Sequence, residues 1–210
     1  MELDHFFILT ESPAQHAAML SDAGLVEGAS NHHPGQGTSN RRFFFSNSVL
    51  ELLYLRDAKE AETGPGRGLR FQERLSESGA SPFGLVLKGS ADAAAPFTGW
   101  CYQPDYFEQG RSFLIGDNSG LLAEPLCFYM PFEPPFDQSQ LRSGKPFDTV
   151  SEVRIHVTVS APSTVLDAVS RLEQISLLTD GDHLLELVFN DGIKSQVRDF
   201  RPELPLVIRC

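Results

Sequence analysis

The sequence is poor in cysteine, in long apolar runs and in positive charge. Its 210 residues include three cysteines, Cys101, Cys127 and Cys210, whose odd number and spacing disfavour a disulfide framework or a Cys-ligated zinc. No apolar run reaches the roughly 18 residues that a membrane helix needs. Lys and Arg total 17 against 28 for Asp and Glu, a net charge of -11, which disfavours nucleic acid and anionic membrane surfaces as partners. The N-terminal MELDHFF also lacks a signal-peptide pattern, so we expect a reduced, cytoplasmic protein that acts on a small molecule.

A short pattern occurs twice in what remains. It consists of a histidine in a strand, a helix that begins at a serine seven residues later, and a strand centred on Leu-Glu-Leu. The first copy runs from His5 to Glu51 and the second from His156 to Glu186. Such an internal repeat indicates a duplicated structural module.

The first 58 residues predict one β-α-β-β-β module. Alternating apolar residues in Met1–Thr10 predict a strand with Leu3, His5, Phe7 and Leu9 on one face. Ser12 and Pro13 then begin a helix that ends at Gly24. LVEGAS predicts a second strand, and RRFFFSNSVLELLYL predicts two more strands about a Ser-Asn-Ser turn.

The rest of the chain predicts two less regular modules. Residues 59–131 read as a helix, LRFQERLSESG, followed by a degenerate second module with a strand in SPFGLVLKGS, a shortened helix in ADAAAPF and two strands about Asp-Asn-Ser-Gly. Residues 132–148 are a linker rich in Pro, Ser and Gln, and residues 149–210 an abbreviated third module packed on the others. The predicted fold is one compact α+β domain of repeated βαβββ modules with curved, mostly antiparallel sheets.

These features resemble the vicinal oxygen chelate superfamily, in its glyoxalase-like branch. The resemblance is carried by the Leu-Asp-His of the first strand, the stretch His-Pro-Gly-x-Gly-Thr-x-Asn at residues 33–40, and the Leu-Glu-Leu strand. TGWCYQPDYF, LLAEPLCFY and RPELPLV are also similar to that branch. The superfamily includes glyoxalase I, extradiol dioxygenases and bleomycin-binding proteins, so one fold hosts several reactions.

The resemblance implies metal ligands on the first and last strand of each module, pointing into an open cup. His5 and Glu51 match these positions in the first module, and Glu124 is the candidate in the middle segment; the tail offers His156 and Glu186 instead. Such donors suit a divalent metal, Zn, Ni, Fe or Mn, and Glu51 and Glu124 are the candidate catalytic carboxylates. Under the alternative interpretation His5 and Glu51 hydrogen-bond each other within a polar core.

Five residues are candidates for substrate binding. His33, Asn40 and Arg42 belong to the glycine-rich stretch and the strand after it, where an arginine can bind a carboxylate or phosphate. The alternative is a hairpin loop with solvated arginines. Trp100 and Tyr102 are amphipathic aromatics that suit a pocket wall, although such residues more often belong to a core or a dimer interface.

The resemblance and these candidates predict a glyoxalase-like protein of small-molecule metabolism. It would be a metal-dependent lyase, isomerase or hydrolase acting on a small polar or carbonyl compound. A metal-free binding protein like the bleomycin-sequestering members is one alternative, and an extradiol dioxygenase-like oxidoreductase is another. Exposed strand edges in such modules also predict a homodimer.

Overall fold

The computed structural model describes residues 1–90, 92–133, 147–179, 181–189 and 196–210, so most of the predicted linker lies outside it. Short 3-10 helices lie at Pro65–Leu69 and Asp117–Gly120. The other elements within the described ranges are the helices α1 (Pro13–Asp22), α2 (Ala58–Thr63), α3 (Phe71–Ser76) and α4 (Thr164–Val169) and the strands β1 (Glu2–Leu9), β2 (His32–His33), β3 (Thr38–Phe44), β4 (Val49–Leu55), β5 (Phe83–Lys88), β6 (Gly99–Tyr102), β7 (Phe113–Gly116), β8 (Leu126–Met130), β9 (Val150–His156), β10 (Ile175–Leu178), β11 (Leu184–Phe189), β12 (Val197–Asp199) and β13 (Leu206–Arg209).

Helix α1 begins and ends close to the predicted residues. Pro13 occupies the first turn, where its missing N–H costs no hydrogen bond, and Gly24 follows the helix with a φ of 99°. The predicted Ser12 side-chain cap is absent from this described segment, and the Thr10 hydroxyl accepts from the Ser12 N–H at 3.0 Å instead. The strand predicted in LVEGAS is also wrong, because this segment makes one isolated bridge, from Glu27 to Phe43.

The first two modules share one eight-stranded sheet, in the order β2-β3-β4-β1-β5-β8-β7-β6. Strand β1 is parallel to β4 and antiparallel to β5, and β5 is in turn parallel to β8. The middle segment therefore supplies the second half of the sheet. It lacks the shortened helix predicted in ADAAAPF, at least over residues 92–97, since the structure does not describe residue 91.

The tail forms a separate five-stranded sheet, in the order β10-β9-β11-β13-β12. Its apolar face packs against α1 and the convex face of the first sheet in one continuous core, which includes Phe6, Ile8, Leu52, Val153 and Leu187. Burial of large apolar side chains stabilises this contact by about 25 cal/mol per Å² removed from water. The predicted α+β class with curved, mostly antiparallel sheets is confirmed.

A β-bulge in β1 changes which side chains reach the concave face. Leu3 pairs with Leu87 and His5 with Val86, so Asp4 is an extra residue in the ladder. The bulge puts Leu3 in the core beneath the sheet, although strict alternation predicts it on the same face as His5. Asp4 and His5 consequently both face the concave side.

None of the helices in the described ranges is long and apolar enough to cross a membrane.

Glu186 of β11 provides a test of the electrostatics of the tail sheet. The Arg209 guanidinium binds its carboxylate at 3.0 and 2.9 Å and holds the pKa of Glu186 below its ordinary value of 4.5. A carboxylate with a lowered folded-state pKa stabilises the fold above its unfolded pKa and loses that contribution as the pH falls through the folded pKa. We therefore expect Glu186→Gln to lower the free energy of unfolding by about 1 kcal/mol at pH 7.

Urea denaturation at pH 7 and at several values below pH 4.5 measures this difference. The difference in the free energy of unfolding between the two proteins should shrink steadily as the pH falls below 4.5. A difference that stayed constant with pH would show that the charge of Glu186 is not its source.

Candidate functional site

The concave face of the eight-stranded sheet encloses a cavity of about 790 Å³. We call this cavity the cup. One side is polar, with Asp4, His5, His33, Arg42 and Glu51 among its lining residues. The other side is lined mainly by the rings of Phe7, Phe71, Phe107, Phe113, Phe128 and Phe132. Its volume lies within the range of about 300–1,000 Å³ typical of small-molecule sites.

Asp4 and His5 form a hydrogen-bonded pair at the polar side of the cup. The Nδ1 of His5 lies 2.7 Å from the carboxylate of Asp4. Burial lowers the pKa of His5, but the negative charges of Glu51 and Asp4 outweigh it and raise the pKa above 6.5. Burial raises the pKa of Asp4, but the hydrogen bond to His5 and the charges of His5 and Lys88 together outweigh it and lower the pKa below its usual 3.8. The pair leaves the Nε2 atom of His5 directed away from its carboxylate partner.

Glu51 of β4 is a buried carboxylate that opens into the cup. Its side chain lines the cavity and the residue is 8% exposed. No hydrogen bond joins it to another residue in the described part of the chain, although Arg42 lies directly opposite on β3. Its charge nevertheless acts on both neighbouring imidazoles, those of His5 and His33. Since buried polar groups normally have partners, Glu51 is suited to bind a donor from a ligand.

The glycine-rich stretch turns His33 and Gln36 toward the cup. Gly35 and Gly37 adopt φ values of 76° and 72°, which L side chains rarely adopt. A Cβ on Gly37 would also lie 2.4 Å from the Asp57 carbonyl oxygen. Both glycines are thus required for this turn.

Phenylalanines build the opposite side of the cup through edge-to-face contacts. The Phe7 ring lies 6.0 Å from that of Phe128, and Phe113 lies 5.4 Å from Phe128. The Phe7 ring crosses β5 at Gly84, where a Cβ would lie 2.1 Å from the ring. The Phe7 ring can therefore lie flat against β5 only because residue 84 has no side chain.

The second half of the sheet does not repeat the donors of the first. Val86 pairs with His5 across β1 and β5, and Phe128 pairs with Val86 on β8. Across the described residues, no three His, Cys, Asp or Glu side chains are placed to hold one metal ion. Of the predicted donors the cup contains His5 and Glu51, and these do not fit a four-ligand divalent metal site.

Glu124 lies between the first sheet and the tail, outside the cup. Its carboxylate accepts from the Ser163 N–H at 2.8 Å, from the Ser163 hydroxyl at 2.6 Å and from the Asn118 amide at 3.0 Å. Ser163 caps α4, so Glu124 connects the tail helix to the turn before β8. The predicted catalytic and metal-binding carboxylates, Glu51 and Glu124, are thus not brought together.

The predicted substrate-binding residues are divided between the cup and its supports. His33 and Arg42 line the cup. Asn40 is buried, and its side-chain oxygen accepts from the Asn31 N–H at 2.7 Å. The Trp100 indole donates to Ser119 at 3.1 Å, and the Tyr102 hydroxyl to Gln36 at 3.3 Å. Asn40 and Tyr102 thus support Asn31 and Gln36, which line the cup, whereas Trp100 bonds to a residue that does not line it.

The alternative donor pair of the tail lies on the other sheet. His156 Nε2 is 4.0 Å from the carboxylate of Glu186, which Arg209 already binds. The further imidazoles of the cup therefore belong to His32 and His33, and not to the tail.

Comparison with known proteins agrees with this geometry. A family model described as a glyoxalase-like domain matches residues 3–105. These residues are a glyoxalase-like domain of the vicinal oxygen chelate superfamily. The glyoxalase-like domain thus contains β1 to β6 and most of the polar side of the cup. No curated protein matches the sequence.

Two solved structures align with the chain. A hypothetical protein from Staphylococcus aureus aligns with a TM-score of 0.58 and 10% identity, over 99% of this chain and 98% of that chain. A hypothetical protein from Bacillus halodurans aligns with a TM-score of 0.42 and 13% identity, over 65% of this chain and 97% of that chain. The first likeness extends the shared fold through the tail.

Sequence reasoning missed two residues of the glyoxalase-like cup. Strict alternation puts Asp4 on the face opposite His5, so the sequence gives no sign that Asp4 faces the cup. Gln36 is buried against the cup and accepts from Tyr102 and Tyr106. The sequence signal for Gln36 is its position between Gly35 and Gly37. Glycines with positive φ reverse the chain direction there, so the side chain between them can point to the other face.

Glu124 and Glu51 should differ in their effects on stability. Glu124→Ala leaves the Ser163 N–H without its acceptor and opens a buried space, so we expect a loss of about 2–4 kcal/mol in the free energy of unfolding. Glu51→Gln keeps the shape of a side chain without protein hydrogen bonds in the described structure, so we expect a change within about 1 kcal/mol. Urea denaturation of both variants measures the contrast, and equal losses would contradict it.

Proposed function

We propose that the cup binds a small ketone or 2-oxo acid with an apolar ring, and that Glu51 removes a proton from the carbon beside its carbonyl. The protein would be an isomerase or lyase that works through an enolate. The observation that carries this proposal is the buried Glu51 carboxylate, which opens into a ligand-sized cavity beside two imidazoles. Glyoxalase-like domains supply the family context and no particular substrate.

The chemistry requires a base, a stabilised oxygen and limited access of water. Glu51 accepts the proton as the C–H bond breaks, and the electron pair of that bond moves onto the carbonyl oxygen. Imidazoles in the polar side of the cup are placed to donate to that oxygen, with His5 oriented by Asp4. The proton returns from Glu51 to the same carbon, which gives exchange. Where that carbon carries a hydroxyl, this hydroxyl loses its proton and becomes the new carbonyl, the old carbonyl oxygen gains a proton, and return of the Glu51 proton to the old carbonyl carbon gives isomerisation.

The phenylalanine side of the cup supports an apolar ring as the other end of the substrate. Phe7, Phe113 and Phe128 already form edge-to-face contacts with one another, and a substrate ring can extend this arrangement. Arg42 and Lys88 stand at the polar side and favour a carboxylate on the substrate over a positive group.

Proton exchange in D₂O tests the proposal directly. With 4-phenyl-2-oxobutanoate as the probe, we expect the protein to speed the loss of the C3 proton signal in the proton NMR spectrum. Glu51→Gln should lower that rate by at least about 100-fold, because it removes the general base. The exposed Glu62→Gln serves as the matched control and should exchange at the parent rate. Added EDTA should leave the rate unchanged.

Each other outcome has a meaning. Exchange that Glu51→Gln leaves intact would contradict the assignment of the base. Loss of exchange in EDTA, restored by one divalent metal, would favour a metal-dependent enzyme. Tight binding of the probe without exchange would favour the second candidate, a metal-free binding protein, which the aromatic side of the cup also suits.

A further inference from the structure

We infer that hydrogen bonds from Tyr102 and Tyr106 through Gln36 and Thr38 hold His33 as the neutral tautomer protonated at Nε2, which gives the cup a fixed donor for the substrate's carbonyl oxygen. The tautomer follows from the hydrogen bonds alone. Its use on a carbonyl oxygen rests on the proposed function.

The side-chain amide of Gln36 has one orientation that satisfies its neighbours. The hydroxyls of Tyr102 and Tyr106 lie 3.3 and 3.1 Å from its side-chain oxygen, which accepts from both. The Tyr102 hydroxyl is buried and its proton needs an acceptor, which an amide nitrogen cannot be, and Gln36 is its one side-chain partner among the described residues, so the oxygen faces the tyrosines. The amide nitrogen then faces Thr38 and donates to its hydroxyl at 2.7 Å.

The direction of the next bond follows from burial. Thr38 is fully buried, and its hydroxyl oxygen already accepts from Gln36. The hydroxyl proton also needs an acceptor, because a buried donor without one is costly. Nδ1 of His33 lies 2.9 Å away and is the remaining side-chain partner of Thr38 in the described structure. Thr38 therefore donates to Nδ1, which carries no proton.

The remaining nitrogen of His33 faces the ligand. Burial lowers the pKa of His33 below 6.5 despite the opposing charge of Glu51, so the ring is neutral at pH 7 and its proton is on Nε2. The ring lines the cup and packs against Tyr106 with centroids 5.1 Å apart. Nε2 has no hydrogen-bond partner among the residues described, which leaves this donor for a ligand.

The imidazoles of His5 and His33 are thus held in opposite ways. The partner of Nδ1 in His5 is a carboxylate, which can only accept, whereas the partner in His33 is a hydroxyl whose proton points at the ring. Of these two, His33 has the donor at Nε2 that does not depend on the ring being charged. Neutral imidazole can polarise a carbonyl in this way.

Long-range proton–nitrogen NMR of protein labelled at histidine reads the tautomer without any ligand. We expect His33 in the unmodified chain at pH 7 to show an unprotonated Nδ1 and a protonated Nε2. Thr38→Ser keeps the hydroxyl and should keep this pattern. Gln36→Glu should invert it, because a carboxylate accepts the Thr38 proton and forces a proton onto Nδ1. A protonated Nδ1 in the unmodified chain, or an unchanged pattern in Gln36→Glu, would overturn the inference.

The exchange assay then separates this inference from the proposed function. Thr38→Val removes the hydroxyl and should slow exchange of 4-phenyl-2-oxobutanoate about tenfold, the value of one neutral hydrogen bond, with Thr38→Ser near the parent rate. If the unmodified chain shows the expected tautomer but no exchange, the proposed function fails and the tautomer stands. If exchange depends on Glu51 while the tautomer is the other one, the proposed function stands and this inference fails.

Discussion

The hydrogen bonds between β1 and β5 are the contact on which the rest of the molecule depends. They run antiparallel and join two modules, each built around a parallel strand pair, into one curved sheet. The bulge at Asp4 lies in this same ladder. The extra residue changes the direction of the side chains in β1, so that Leu3 lies in the core while Asp4 and His5 face the cup. One local irregularity in the central pairing therefore sets both the packing below the sheet and the chemistry above it.

The cup combines groups that would be costly to bury one at a time. A lone buried carboxylate or imidazolium is disfavoured, but Asp4, His5 and Glu51 lie close enough for their opposite charges to stabilise one another. Burial lowers the pKa of His33, although the charge of Glu51 opposes this effect. The polar side of the cup thus contains two imidazoles whose pKa values are shifted in opposite directions, and whose Nδ1 atoms have different partners.

The sequence predicted much of the framework and only part of the site. The family resemblance implied that His5 and Glu51 point into one cup, and both side chains line it. Strict alternation failed at Leu3, since a bulge depends on the neighbouring strand. Glu124 reads like Glu51 in sequence, but the tail helix covers it, and that contact spans 39 positions of the chain. The role of Gln36 depends on Tyr102 and Tyr106, which only the fold brings near.

The tail sheet has a consequence for how this protein can change. The tail sheet covers the convex face with large apolar side chains, and the hydrogen bond from Ser163 to Glu124 joins the tail to the first sheet. The side chains that line the cup contribute to a separate, smaller apolar cluster on the opposite face of the sheet. Substitutions of residues that line the cup therefore act mainly on the smaller of the two apolar clusters. Such a division lets the residues of the cup change while the larger apolar core under the sheet stays intact.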